Sequence, residues 1–189
     1  MRTLYLARHG EATDALTPAG REQARLLGAR LAEVPLTGVF HSSVQRAAET
    51  AALVAAELAD DVPVSASDLV GDYLPYAPTA AELPPVFGPI VLAHVADYGP
   101  EPSYASEALA EFTQPVSRTE LIITHSQIVT WFVRAAMDAP PARWLGINAA
   151  NTGLTVIRYR EGWPPTLVMF NDQSHLPVSL RWTGFSERW

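Results

Sequence analysis

The chain has 189 residues, 48% of them hydrophobic and 17% charged, which suits a single globular domain over 1–189 with a proper buried core. Its net charge of −7 argues against nucleic acid and anionic membranes as partners, and no apolar run is long enough to span a bilayer. Cysteine and lysine are both absent and all 13 basic residues are arginines, which excludes disulfides, thiolate nucleophiles, cysteine-based zinc sites and Schiff-base chemistry.

Residues 3–8, "TLYLAR", read as a short buried strand entered almost at once, without the apolar segment and cleavage site of a signal peptide. A cytoplasmic protein is therefore expected. "LTPAGREQARLLGARLAEV" predicts a helix: Thr17 can cap it, Pro18 suits its first turn, and Ala24, Leu27, Leu31 and Val34 recur at helical spacing. "LTGVFHS" is a second strand ending at His41 or Ser42. An alanine-rich helix follows over 43–59, then a third strand in "VPVSAS". Residues 68–90 are proline-rich and predict a long ordered loop with one helical turn, opening an excursion that runs to about 116. Helices are expected near 90–98 and 104–112. "TELIITHS" is a strand with a helix, "QIVTWFVRAAM", behind it, and "GLTVIRY" and "TLVMFN" are the last two strands.

Strands alternating with helices imply a three-layer α/β/α sandwich around a mostly parallel central sheet. Ligands of such sheets bind beyond the carboxyl ends of the strands, where both "RHG" and "THS" fall. Arg8 and His9 end the first strand and His125 ends a later one, while Arg46 lies in the first turn of a helix whose N-terminus favours an anion. Guanidinium forks bind phosphate oxygens bidentately, and an imidazole can attack phosphorus. Gly10 lets the backbone pass close to a bound group. Together these residues predict a pocket for a tetrahedral anion.

The same residues carry a resemblance to the histidine phosphatase superfamily, the phosphoglycerate mutase-like proteins. "LARHGEA" fits its Arg-His-Gly strand end. "LTPAGREQA", "HSSVQRAAETA" and "IITHSQIV" resemble its next three segments in the same order, and "NDQSHL" resembles its tail, so the likeness spans about 3–176. The resemblance implies a phosphoglycerate mutase-like fold and catalysis without metal or other cofactor. His9 would be the nucleophile that becomes a phosphohistidine. Arg8, Arg46 and His125 would hold the phosphoryl oxygens, and a carboxylic acid would protonate the leaving oxygen.

The acid departs from the family pattern. Where the family often has glutamate after the third strand, this chain has none, and "LVGDYLPYAP" resembles the protein-phosphatase branch only if Asp72 takes the glutamate's place. Asp72 is preferred over Asp68, and both over Glu82. Ser126 and Gln127 replace the glycines that often follow the second histidine; their side chains narrow the pocket or bond the substrate. Asp14 is expected in solvent and Glu11 in packing. His41, His94 and His175 are given no role. Tyr73 and Tyr76 either line a substrate groove or pack the loop.

Three activities fit such a site: a phosphomonoester hydrolase, a mutase that returns the phosphoryl group to its substrate, or a non-catalytic phospho-ligand binder. A mutase needs further cations to grip a second anionic group, and no such cluster is visible, so hydrolysis is favoured. The expected partner is a small phosphorylated substrate or a phosphopeptide. Oligomeric state is not legible.

Overall fold

The computed structural model describes residues 1–185, apart from the side chains of His94, Asp97 and Tyr98. Six strands form one sheet in the order β3-β2-β4-β1-β5-β6. These are β1 (Arg2–Arg8), β2 (Gly38–His41), β3 (Val64–Ala66), β4 (Arg118–Thr124), β5 (Leu154–Tyr159) and β6 (Thr166–Asp172). The first four run parallel, and β5 lies antiparallel to both β1 and β6.

The helices are α1 (Pro18–Leu31), α2 (Gln45–Ala55), α3 (Gly88–Tyr98), α4 (Pro102–Phe112) and α5 (Ser126–Ala136). β4 is buried over 120–124, and its apolar stretch 121–123 does not alternate with polar residues because both faces of the strand are covered. Leu121 and Ile123 pack with Leu27 and Leu31 of α1 and with Ala47, Ala51 and Val54 of α2. Ile122, with Leu4 and Leu6 of β1, packs with Phe112 of α4 and with Ile128 and Phe132 of α5. The expected three-layer sandwich with a mostly parallel sheet is the one observed.

Local chemistry explains the element starts. The Thr17 hydroxyl accepts the Gly20 N–H at 3.0 Å, and Pro18 occupies the first turn of α1. Helices α3 and α4 begin two residues earlier than their apolar spacing suggests, because Pro89 and Pro102 sit in first turns, where a missing N–H costs nothing. Between β3 and α3 the loop carries two single 3₁₀ turns, Asp68–Val70 and Ala80–Glu82, where one was expected.

Candidate active site

Strand register assembles the site. β1 pairs with β4 so that Arg8 lies opposite Thr124, and the residues that follow, His9 and His125, emerge side by side. The His9 N–H donates to the Thr124 carbonyl at 2.8 Å, and the two imidazole centroids are 5.2 Å apart. β2 pairs with β4 so that His41 lies opposite Ile123, which delivers Ser42 to the same edge. Arg46 then arrives in the first turn of α2. Gly10 permits the close approach of α1, since a Cβ there would strike the Gly20 carbonyl; its N–H donates to Thr50 Oγ1 at 3.0 Å.

The protons of both histidines are fixed by their neighbours. His9 Nδ1–H donates to the Gly10 carbonyl at 2.7 Å, so Nε2 is unprotonated and accepts from Arg46 Nε–H at 3.2 Å. Ser42 Oγ accepts the Val44 N–H at 3.2 Å and meets His125 Nε2 at 3.0 Å. The Asp72 carboxylate, whose Oδ2 lies 3.6 Å from His125 Nδ1, favours the proton on Nδ1, and in that tautomer Nε2 accepts from the serine hydroxyl. His9 is 6% exposed and His125 2%. Burial, with further lowering by His125, Arg8 and Arg46, pushes His9 down to about 3 against the opposing Gly10 carbonyl. Burial, then Arg46 and Arg8, lowers His125 to about 3. Arg8 falls to about 10, chiefly through burial, with Asp72 opposing and Arg46 adding. At neutral pH both imidazoles are therefore uncharged, and two guanidinium groups carry the positive charge.

Among the described residues, Arg8 has only backbone oxygens as hydrogen-bond partners, the carbonyls of Ala149 at 3.1 Å and Gly184 at 2.6 Å, and its buried Nε has none. Asn151 Nδ2–H donates to the His9 carbonyl at 2.8 Å, and its backbone N–H to the Thr183 carbonyl at 3.2 Å. The segment around Thr183 and Gly184 thus crosses beside the pocket.

Of the three carboxylates weighed from sequence, the structure brings only Asp72 to this cluster. Its Oδ2 pairs with Arg46 and its Oδ1 accepts from Gln127. Asp68 is bonded to Ser43 at 3.2 Å, and Glu82 to Thr79 and Tyr76, each at the edge of its own turn. Asp14 is exposed, as expected, while Glu11 accepts from the Thr17 hydroxyl at 2.8 Å and packs against α1. Ser42, Asn151 and Gly184 were not foreseen; the first had a signal, its place at a strand's carboxyl end.

A cavity of about 530 Å³ adjoins Arg8 and Asp72 and is walled by Tyr73, Leu74, Trp144 and Ile147. Tyr76 stands behind it, its carbonyl accepting the Trp144 indole N–H at 3.1 Å. Among the described residues, no group of three His, Cys, Asp or Glu side chains is arranged to hold a metal ion.

With this geometry in place, known proteins place the chain. The family model of the histidine phosphatase superfamily (branch 1) matches residues 4–69, over Arg8, His9 and Arg46. A Caenorhabditis elegans protein named serine/threonine-protein phosphatase Pgam5, mitochondrial, is 32% identical over 195 residues, covering 93% of this chain and 64% of that protein. Over its first third the chain is thus similar to the histidine phosphatase superfamily. The Homo sapiens protein of the same name is 29% identical, again covering 93% of this chain and 64% of its own length. The chain therefore spans just under two thirds of the length of those curated relatives. Their names also overturn the expected cytoplasmic location, since they are mitochondrial phosphatases. Among solved structures, Bacillus stearothermophilus YhfR matches with a TM-score of 0.70 and 24% identity over 93% of this chain and 99% of that one. An Entamoeba histolytica phosphoserine phosphatase matches at 0.69 and 21% identity over 94% of this chain and 100% of that one. At such identities these two speak for the fold alone.

Proposed function

We propose that the chain is a metal-independent phosphomonoester hydrolase that passes the phosphoryl group first to His9 and then to water. The observation that carries this reading is the His9 ring, whose Nδ1–H is held by the Gly10 carbonyl at 2.7 Å while its unprotonated Nε2 accepts from Arg46 Nε–H at 3.2 Å, a bond that an arriving phosphoryl group would replace. A neutral imidazole in that orientation is a nucleophile at neutral pH. As Nε2 forms its bond to phosphorus, the bond to the ester oxygen breaks. Arg8, Arg46 and His125 Nδ1–H stabilise the charge on the three equatorial oxygens. Asp72 protonates the leaving oxygen, and its carboxylate then takes a proton from the water that attacks the phosphohistidine, releasing inorganic phosphate. Gly10 serves the site through the carbonyl that fixes the nucleophile.

The proposed substrates are small phosphorylated molecules or phosphopeptides. The apolar cavity beside Arg8 and Asp72 supports an ester whose body is apolar or aromatic. The relatives' naming as serine/threonine phosphatases supports phosphoserine and phosphothreonine peptides within that class. Residues 1–189 are proposed to act as one domain, with the 68–116 excursion supplying Asp72, Tyr73 and Leu74 to the substrate side.

The test is hydrolysis of para-nitrophenyl phosphate in excess chelator, with rapid acid-free quenching and ³¹P NMR for a phosphohistidine. Turnover that survives the chelator, together with a phosphohistidine resonance, is the expected result. Absence of turnover from mildly acidic to neutral pH overturns the hydrolase reading.

A further inference from the structure

The Asp72 carboxylate occupies the cradle that the hydrolase reading assigns to phosphate. Its Oδ2 pairs with Arg46 and lies 3.6 Å from His125 Nδ1, two of the groups meant for equatorial oxygens, and its charge also reaches Arg8. A carboxylate and a phosphoryl group cannot both hold those donors, because two anions in one half-buried cleft repel each other. The second oxygen, Oδ1, is held separately, by the Gln127 side-chain amide on the first turn of α5. Gln127 and Asp72 both line the apolar cavity, on the side where a leaving group would lie.

Resting on the hydrolase reading, we infer that Asp72 is a resident counter-anion of the phosphate cradle, displaced by substrate toward the leaving group, and that Gln127 is the positioning residue that keeps hold of it. The displacement has a chemical consequence. In the resting site the carboxylate is flanked by the cations of Arg46 and Arg8 and by the N–H of His125. Once a phosphoryl dianion takes those partners, the same carboxyl stands beside negative charge and takes up a proton from solvent. It then gives that proton to the ester oxygen as the O–P bond breaks. Arrival of substrate thereby arms the acid. Gln127 carries an N–H that donates to the carboxyl in either place, which also offsets the aspartate's missing methylene.

The experiment is calorimetric titration of inorganic phosphate into the wild-type chain, Asp72→Ala and Asp72→Asn, with turnover of an alkyl and an aryl phosphate by Gln127→Ala. Removing the resident anion should tighten phosphate binding by about threefold to tenfold in both Asp72 variants, the worth of a half-exposed ion pair. Gln127→Ala should lower kcat on the alkyl ester by about tenfold and leave the aryl ester, which needs no protonation, nearly unchanged. Phosphate that binds the wild type and binds the Asp72 variants no better overturns the counter-anion inference while the hydrolase reading stands. Equal losses on both esters in Gln127→Ala overturn its positioning role. No phosphate binding by any of the proteins overturns the phosphate site itself, and this inference with it.

Discussion

β1 carries an arginine at each end, and the two live differently. Arg2, at the amino end, is 1% exposed and is matched inside the fold: its Nε lies 2.9 Å from Glu120 Oε2, and its guanidinium also donates to the Glu111 carbonyl. Arg8, at the carboxyl end, is bonded to carbonyl dipoles and faces Asp72 only at longer range. A buried charge paired with a buried opposite charge is neutral, rigid and finished. A half-buried charge held by dipoles still attracts an anion. The carboxyl end of this sheet keeps its positive charge for a ligand, and the amino end has consumed its own.

Substitutions separate the two ends. The largest effect is expected at His9: His9→Ala should lower turnover by at least about 10³-fold without loss of the cooperative unfolding transition. Undiminished activity in that variant would break the assignment of the nucleophile. Next come the paired arginines. Arg8→Met should cost roughly 10²–10³-fold in kcat/KM but little melting temperature, because it removes transition-state charge and two carbonyl contacts. Arg2→Met should do the reverse, costing about 3 kcal/mol by leaving the buried Glu120 carboxylate with only the exposed Arg118 guanidinium, 3.3 Å from Oε1, while the surviving folded protein keeps its kcat. Adding Glu120→Leu to Arg2→Met should recover much of that stability, as thermal unfolding would show. Similar stability losses in Arg8→Met and Arg2→Met would erase the contrast between the two ends.

The histidines sharpen the same contrast through pH. In the unfolded chain each binds a proton below its ordinary value of 6.5, whereas in the fold His9 and His125 bind one only near 3. The unfolded state therefore holds more protons across that window. The stability tied to the neutral rings is complete above 6.5 and is lost as pH falls toward 3, at no more than about 1.4 kcal/mol per pH unit for each ring. Urea unfolding at a series of pH values should show this slope. It should flatten in His125→Gln, which has no ring to protonate, and no change of slope there would refute the neutral-ring account.

These features were unequally legible before folding. Arg8, His9, Arg46 and His125 stand next to strand ends or a helix start, and parallel pairing brings strand ends together whatever the loops do; apolar runs gave those positions, and the resemblance of the surrounding segments to a known family singled out Arg46 and His125 from surface and core residues of the same kind. Asp72 was reachable only as a ranked choice, because the loop over 68–87 follows no period and its course is set by contacts such as Tyr73 OH with the Leu69 carbonyl at 2.6 Å. Its link to Gln127 depends on that course and had no signal. Asn151 and Gly184 come from a loop and the tail, where neither spacing nor capping chemistry points at a partner 140 or more positions away in the chain. Ser42 is the instructive omission. It sits at the same sheet edge as both histidines, and a hydroxyl beside a strand-end histidine is a ready means of fixing a tautomer.

The smallest predicted effect concerns the substrate's body. The amino end of the sheet closes over Arg2, but the carboxyl end opens into the apolar cavity that Ile147 helps to wall. Ile147 is only half-buried, so truncating it removes contact surface from the cavity without hollowing the core. Ile147→Ala should therefore lower kcat/KM for a naphthyl phosphate by about tenfold at most and leave phosphoserine, too short to reach that wall, unchanged. The urea midpoint should stay where it is. If both esters lose equally, Ile147 supports the fold of the site and contributes nothing to selection, and the cavity ceases to distinguish the open end of the sheet from the closed one.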